Sequence, residues 1–242
     1  MLTSDFIAYI IHLKSNRLPR KERMFTLKKI LISPSMMCAN FGNLKNEVEL
    51  LDEAGADIFH IDFMDGTFVP NFGMGLQDFE FIRLSTDKLV DVHLMISNPG
   101  EYVEIFADKG ADIIYFHPEA DLHPTRTLEK IRKKGKKAGI AINPGTSVPT
   151  VKELLSLVDY VMVMTVNPGF AGQKYLPFVD EKIDELLQIK EKYDFEIFVD
   201  GAISPERIDI LGKKGVKGFV LGTSSLFGKE KSYKELITAY KE

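Results

Sequence analysis

From residue 28 onward the chain alternates between two kinds of segment. Short runs rich in β-branched and aromatic residues give way to longer stretches where apolar positions recur every three or four residues among charges. The first pattern predicts buried strands and the second amphipathic helices. Strands are expected at residues 29–33, 58–62, 89–94, 113–116, 139–142, 160–164, 196–199 and 218–221, with helices between them, among them 44–54, 124–137 and 179–192. Three helices run into similar punctuation: Ala54-Gly55-Ala56-Asp57, Lys109-Gly110-Ala111-Asp112 and Lys214-Gly215-Val216-Lys217. In each, a glycine serves as a helix stop just ahead of a strand. Strand–helix alternation predicts a parallel sheet. Eight such units in about 215 residues predict an α/β fold, a single (β/α)8 TIM barrel, at residues 28–242. The alternative is an open doubly wound sheet, which has about five or six strands.

Residues 1–27 are expected to form an N-terminal extension outside the barrel. Its apolar run at 6–13 precedes Lys14, Arg17, Arg20, Lys21 and Arg23, the reverse of the order in a secretory signal. A transit peptide is a second reading of this segment, and Met24 is an alternative first residue.

Phase within the strands locates the chemistry. Side chains alternate faces. In the second strand Phe59, Ile61 and Phe63 share one face, while Ile58, His60, Asp62 and Met64 share the other. The third sends Val90, Val92 and Leu94 outward, and His93 and Met95 inward; the seventh ends on Asp200. Barrel interiors are normally filled by branched apolar residues, and active sites sit at the C-terminal ends of the strands. An imidazole or carboxylate there is costly unless it is paired or binds something. His60, Asp62, His93 and Asp200 are therefore candidate ligands for one divalent metal. Two imidazoles and two carboxylates suit Zn, Mn, Fe or Co better than Mg or Ca.

Glycine-rich turns follow the last three strands: Asn167-Pro168-Gly169-Phe170-Ala171-Gly172-Gln173, then Asp200-Gly201-Ala202, then Gly222-Thr223-Ser224-Ser225, the last expected to open a short helix. Glycine lets backbone approach an oxyanion closely, and a helix N-terminus presents free N–H groups, so these turns are candidate phosphate sites.

Charge and composition narrow the partners. The 242 residues carry 31 basic and 35 acidic side chains, a net charge of −4, which gives no large positive field for nucleic acid. The run Lys133-Lys134-Gly135-Lys136-Lys137 reads as a solvated helix end. The single cysteine, Cys38, excludes an intrachain disulfide and suits a reducing, cytoplasmic setting. No stretch approaches the roughly 18 apolar residues that span a bilayer.

Over residues 32–227 the chain resembles the ribulose-phosphate 3-epimerase family. The motifs are Ser33-Pro34-Ser35, the run from His60-Ile61-Asp62-Phe63-Met64-Asp65-Gly66 to Thr67-Phe68-Val69-Pro70-Asn71, Asp91-Val92-His93-Leu94-Met95, Asn143-Pro144-Gly145-Thr146 and Asn167-Pro168-Gly169-Phe170. The resemblance implies an isomerase that inverts C3 of a phosphorylated ketose through a cis-enediolate. It implies one metal on His60, Asp62, His93 and Asp200, with Asp62 and Asp200 as the acid/base pair. It places Ser35, His93, Met64, Met95 and Met164 around the substrate. The phosphate would lie on Gly169, Phe170, Ala171, Gly172, Gly201, Ala202, Gly222 and Thr223. It also suggests a homo-oligomer.

Two positions depart from the family pattern. Ala171 and Ala202 stand where many members have glycine, and the loop is expected to have ordinary backbone angles at Ala202. Local features shift the substrate expectation toward D-allulose 6-phosphate, converted to D-fructose 6-phosphate, with D-ribulose 5-phosphate as the alternative. These features are Met37-Cys38, Phe116-His117-Pro118-Glu119, Met164-Thr165-Val166, Phe170-Ala171-Gly172-Gln173 and the segment from Gly222 to Phe227. A lyase of the orotidylate-decarboxylase kind would place Asp-x-Lys-x-x-Asp at a strand end, and Met64 occupies the lysine position. A non-catalytic sugar-phosphate sensor is disfavoured because all four candidate ligands are present.

Overall fold

The structure is a computed structural model and describes residues 30–242; the extension expected at 1–27 lies outside the described residues. Among the described residues, eight strands alternate with eight α-helices. The strands are β1 (Leu31–Pro34), β2 (Ile58–Met64), β3 (Leu89–Met95), β4 (Ile113–Phe116), β5 (Lys137–Ile142), β6 (Tyr160–Met164), β7 (Glu196–Asp200) and β8 (Gly218–Leu221). The helices are α1 (Leu44–Glu53), α2 (Leu76–Ser85), α3 (Val103–Asp108), α4 (Pro124–Lys133), α5 (Val148–Val151), α6 (Val179–Tyr193), α7 (Pro205–Lys214) and α8 (Tyr233–Lys241). All strands pair in parallel in the order β1-β8-β7-β6-β5-β4-β3-β2. A parallel bridge from Ser35 to His60 joins the ends of that sheet, and Ser33 Oγ donates to the Ile58 carbonyl at 3.3 Å. The sheet is thus the predicted (β/α)8 barrel.

The expected glycine stops are present. Gly55, Gly110 and Gly215 end their helices in the left-handed region, at φ 89°, 102° and 113°. Two of the aspartates that follow, with Asp159 ahead of β6, have a second role at the N-terminal end of the barrel. Asp57 N–H donates to the Ile32 carbonyl (2.9 Å) while Ile32 N–H donates back to its carboxylate (2.9 Å). Asp112 closes the same ring with Val90 (2.8 and 2.9 Å), and Asp159 with Ala138 (2.8 and 3.0 Å). These rings clamp β2, β4 and β6 to the strand before each, on the face of a barrel that serves stability.

Inside the barrel, Ile58, Ile113, Tyr115, Ala141, Met162, Met164, Phe198 and Val220 form one apolar cluster. The ring volumes explain two inward glycines. Gly139 is in register with Tyr115 and Gly218 with Phe198. A Cβ at Gly139 would lie 2.3 Å from the Tyr115 ring, and one at Gly218 2.0 Å from the Phe198 ring. The outward residues of β2 and β3 (Phe59, Ile61 and Phe63; Val90, Val92 and Leu94) pack in the larger cluster with the helices, as strand phase predicts.

Two boundaries differ from expectation. The helix expected over 124–137 stops at Lys133, because Gly135 turns the chain at φ 72° and Lys137 already begins β5. Lys133 and Lys134 are exposed there, as a solvated helix end requires. The short helix expected after β8 is a run of turns. Leu226 and Phe227 N–H both donate to the Gly222 carbonyl (3.0 and 3.2 Å), and Gly228, at φ 68°, ends the run.

Above the barrel, Asp65 ties two βα loops together. One carboxylate oxygen accepts from Thr67 and Phe68 N–H (2.8 and 2.9 Å), and the other from Ser97 N–H (2.8 Å). Burial opposes its charge, but these N–H donors outweigh burial and hold its pKa below the ordinary 3.8. A depressed carboxylate contributes stability above its unfolded pKa and loses it as pH falls below that value. Asp65→Asn removes the acceptor for Ser97 and is expected to cost about 1 kcal/mol near pH 7. Urea titration should show that gap narrowing as pH drops below 3.8; a gap that stays constant with pH contradicts the assignment.

Candidate active site

β2, β3 and β7 deliver four polar side chains to the same point at the C-terminal end of the barrel. His60, Asp62, His93 and Asp200 each offer one ligand atom, all within 4.8 Å of one another. Both imidazoles and Asp62 are buried, while the Asp200 side chain keeps 16% exposure. Asp62 Oδ1 lies 3.2 Å from His60 Nε2 and 3.3 Å from His93 Nδ1. Asp200 Oδ2 lies 3.9 and 3.6 Å from the same two nitrogens. β2 and β7 are separated around the barrel by β1 and β8, so the two carboxylates approach from different sides. Ser35, just past β1, donates to Asp62 Oδ2 at 2.8 Å and fixes that carboxylate.

Behind this group the imidazoles are held differently. His60 Nδ1 meets Asp91 Oδ1 at 2.5 Å. His93 Nε2 meets His117 Nε2 at 2.9 Å. His60 Nε2 and His93 Nδ1 are fully buried and have no hydrogen-bond partner. A buried polar atom left unpaired costs about 1–3 kcal/mol, so two of them aimed at two carboxylates suit a cation in the space between. These donors fit a transition metal or zinc.

The electrostatics follow from burial and proximity. Burial resists charge on His60, but Asp91 and Asp62 outweigh it, and its pKa rises well above the ordinary value. Burial likewise opposes ionisation of Asp62, yet His60 and His93 pull it below the carboxylate range. Asp200 is pushed up to about 7, by burial first and then by the neighbouring Asp62 charge. Burial lowers His93, and burial takes His117 down to about 4.

Over these groups lies a cleft that is open to solvent. Ser35, Met64, Met95 and Met164 line it with Asp62 and Asp200. So do all the expected phosphate positions: Gly169, Phe170, Ala171, Gly172, Gly201, Ala202, Gly222 and Thr223. His60 and His93 do not line it, being buried beneath its floor. None of the backbone N–H groups of residues 169–172, 201 and 202 finds an acceptor among the described residues, which leaves them available to an oxyanion. Asn71 Nδ2 donates to the Gly169 carbonyl at 2.7 Å and ties this loop to the one after β2.

The backbone departs from expectation at one site position. Ala202 does not have ordinary angles: it sits at φ 53°, directly after Gly201 at φ 116°. Gly201 has no room for a side chain, since a Cβ would lie 2.5 Å from Val166. Thr165 holds the turn, its N–H and Oγ1 donating to the Asp200 carbonyl at 2.7 and 2.9 Å, with Oγ1 also on the Gly201 carbonyl. With its carbonyls anchored, the chain leaves β7 through two left-handed residues, and alanine tolerates the second at a cost.

Asp91, His117 and Glu119 are not among the site residues expected from sequence, although His117 and Glu119 belong to a motif that bore on the substrate expectation. Asp91 shares the inward phase of β3 with His93, so strand alternation could have found it. His117 lies one residue past β4, where phase no longer applies.

The profile of the Ribulose-phosphate 3 epimerase family matches residues 31–227. A Bacillus subtilis protein named ribulose-phosphate 3-epimerase is 42% identical over 202 residues, 82% of this chain and 93% of its own length. A Synechocystis protein of the same name is 43% identical over 201 residues, 81% and 87% of the two chains. Among solved structures, a 3-keto-L-gulonate-6-phosphate decarboxylase from Vibrio cholerae superposes with a TM-score of 0.68 over 88% of this chain and 95% of its own, at 13% identity. That likeness carries the fold alone.

Left-handed alanine costs about 1–2 kcal/mol, partly offset by the extra unfolded-state entropy glycine brings, about 0.5–1 kcal/mol. Ala202→Gly is therefore expected to stabilise the protein by about 0.5–1 kcal/mol, read as a rise in the urea midpoint. Destabilisation would show that the turn does not hold this conformation in solution.

Proposed function

As the chain belongs to the ribulose-phosphate 3-epimerase family and is an isomerase of phosphorylated sugars, we propose that it interconverts D-ribulose 5-phosphate and D-xylulose 5-phosphate. The observation that carries the reading is the convergence of His60, Asp62, His93 and Asp200 beneath a cleft walled by unpaired backbone N–H groups. The hexulose expectation has weaker support. The similar proteins carry the ribulose-phosphate name. Two residues behind that expectation, His117 and Glu119, are not among those that line the cleft.

Inversion at C3 removes a proton from one face of the carbon and returns one to the other. It needs a proton-handling group on each side, and Asp62 and Asp200 approach from different strands to supply them. Each positioned acid or base contributes roughly 10²–10⁴-fold. Ser35 keeps Asp62 in register. Met64, Met95 and Met164 line the reaction centre with unreactive, adaptable surface that excludes water. The backbone of residues 169–172, 201 and 202, with Gly222 and Thr223, receives the phosphate. His60, Asp62, His93 and Asp200 would hold one divalent ion, Zn, Mn, Co or Fe. Bound there, it would supply Lewis-acid stabilisation of the negative charge that develops as the C3 proton leaves, worth several kcal/mol by order of magnitude.

Two measurements test this. With metal supplied, kcat/KM for D-ribulose 5-phosphate is expected to exceed that for D-allulose 6-phosphate by about tenfold or more, a difference of about 1.4 kcal/mol; the reverse preference would restore the hexulose reading. Asp200→Asn is expected to lower turnover by roughly 10²–10⁴-fold with unchanged circular dichroism, and to abolish solvent-deuterium entry at C3 of the product. Near-full turnover in that variant would remove Asp200 from the acid/base pair.

A further inference from the structure

We propose that Glu119 and His117 act as a positioning relay for His93, selecting the ring tautomer that leaves its Nδ1 free for a metal. The proposal rests on the reading of His60, Asp62, His93 and Asp200 as one metal site. It starts from an asymmetry between the two imidazoles of that site. His60 has a carboxylate, Asp91, directly on its rear nitrogen at 2.5 Å. His93 has another imidazole there, His117, at 2.9 Å. Metal-binding histidines generally place a hydrogen-bond partner on the far nitrogen, which fixes tautomer and ring orientation. An imidazole can donate or accept, so His117 alone fixes nothing.

The next residue in the chain of contacts resolves this ambiguity. His117 Nδ1 has no hydrogen-bond partner, and Glu119 Oε2 lies 3.7 Å from it. The Glu119 carboxylate is itself fixed. Its Oε1 accepts from Asn143 N–H at 3.0 Å and from the Thr146 hydroxyl. The two imidazole nitrogens facing each other share one proton. If His93 Nε2 holds it, His117 Nε2 accepts, the single ring proton of His117 sits on Nδ1 facing the carboxylate, and His93 Nδ1 is a bare lone pair. If His117 Nε2 holds it, a bare His117 Nδ1 lone pair faces the carboxylate and His93 Nδ1 points a proton at Asp62 and Asp200, which closes it to a cation. Glu119 favours the first arrangement. Phe68, with its ring centroid 4.8 Å from that of His117, and His93, at 5.0 Å, leave the His117 ring little freedom to flip.

The test is Co²⁺ titration of the metal-stripped full chain, followed by absorbance, together with ¹⁵N NMR of the histidine rings before metal is added. The unsubstituted protein should bind Co²⁺ and show His93 protonated at Nε2. His117→Phe removes the acceptor and should weaken Co²⁺ binding by about 10–100-fold, with the His93 proton spread over both nitrogens. His117→Gln, which keeps an acceptor, should recover most of that loss. Glu119→Gln should weaken binding by several-fold and shift the His93 tautomer the same way. A purely structural role would lower the melting temperature of these variants and leave their Co²⁺ affinity unchanged, and that outcome overturns the relay. Should His117→Phe fail to fold, Glu119→Gln decides alone: unaltered affinity and tautomer overturn the proposal. Failure of the unsubstituted protein to bind Co²⁺ would overturn the metal-site reading itself, and the relay with it.

Discussion

Everything at the C-terminal face of this barrel depends on two buried imidazole nitrogens, His60 Nε2 and His93 Nδ1, held without a hydrogen-bond partner opposite two carboxylates. Left alone, such an arrangement is unfavourable, because each unpaired buried atom costs about 1–3 kcal/mol. The surrounding residues make it tenable. Asp91 takes the rear of His60, His117 takes the rear of His93, and Ser35 takes the outer oxygen of Asp62. Each contact fixes an orientation that would otherwise relax toward a self-satisfied hydrogen-bond network. The site is thus kept short of partners from within, as a preorganised ligand site requires.

The two ends of the barrel divide the work. At the N-terminal end, the rings of Asp57, Asp112 and Asp159 and the ring-against-glycine packing of Tyr115 with Gly139 and Phe198 with Gly218 create stability without presenting chemistry. At the other end the backbone takes less favourable conformations. Gly169, Gly201 and Ala202 all have positive φ, and their N–H groups face the cleft unpaired. Strained backbone of this kind persists where the surrounding structure over-determines it, and here Thr165 and Asn71 provide the anchors. Ala202 shows the balance clearly. The strain is confined to one residue, and a stable barrel beneath can carry about 1–2 kcal/mol.

The superposition with a decarboxylase at 13% identity illustrates how little a barrel says about chemistry. What separates this chain from a lyase of the orotidylate-decarboxylase kind is local. Met64 closes the second strand where that kind of site needs a lysine, and two histidines stand on the neighbouring inward positions. The pairing of two imidazoles with two carboxylates, and the lack of an ammonium group, both come from a handful of strand-end residues.

Much of this was legible in sequence. Strand alternation put His60, Asp62 and His93 inward because a two-residue period leaves only two faces, and the glycine stops at 55, 110 and 215 followed from the left-handed turn that ends a helix. The order of βα units implied a barrel, and a barrel gathers its strand ends at one face. Three things came only from the fold. Ala202 is left-handed because Gly201 packs tightly against Val166 and Thr165 holds the Asp200 and Gly201 carbonyls, a constraint that reaches Asp200 from 35 residues away in sequence. The turn after β8 is not a helix because Gly228 ends it within one turn. His117 stands behind His93 because β4 pairs with β3 in one register, placing a residue beyond the end of its strand against a ring 24 positions earlier. Periodicity can assign a side chain to a face. Which side chain stands behind another is decided by register between strands and by the path of loops, and neither is written in the spacing of residues along one strand.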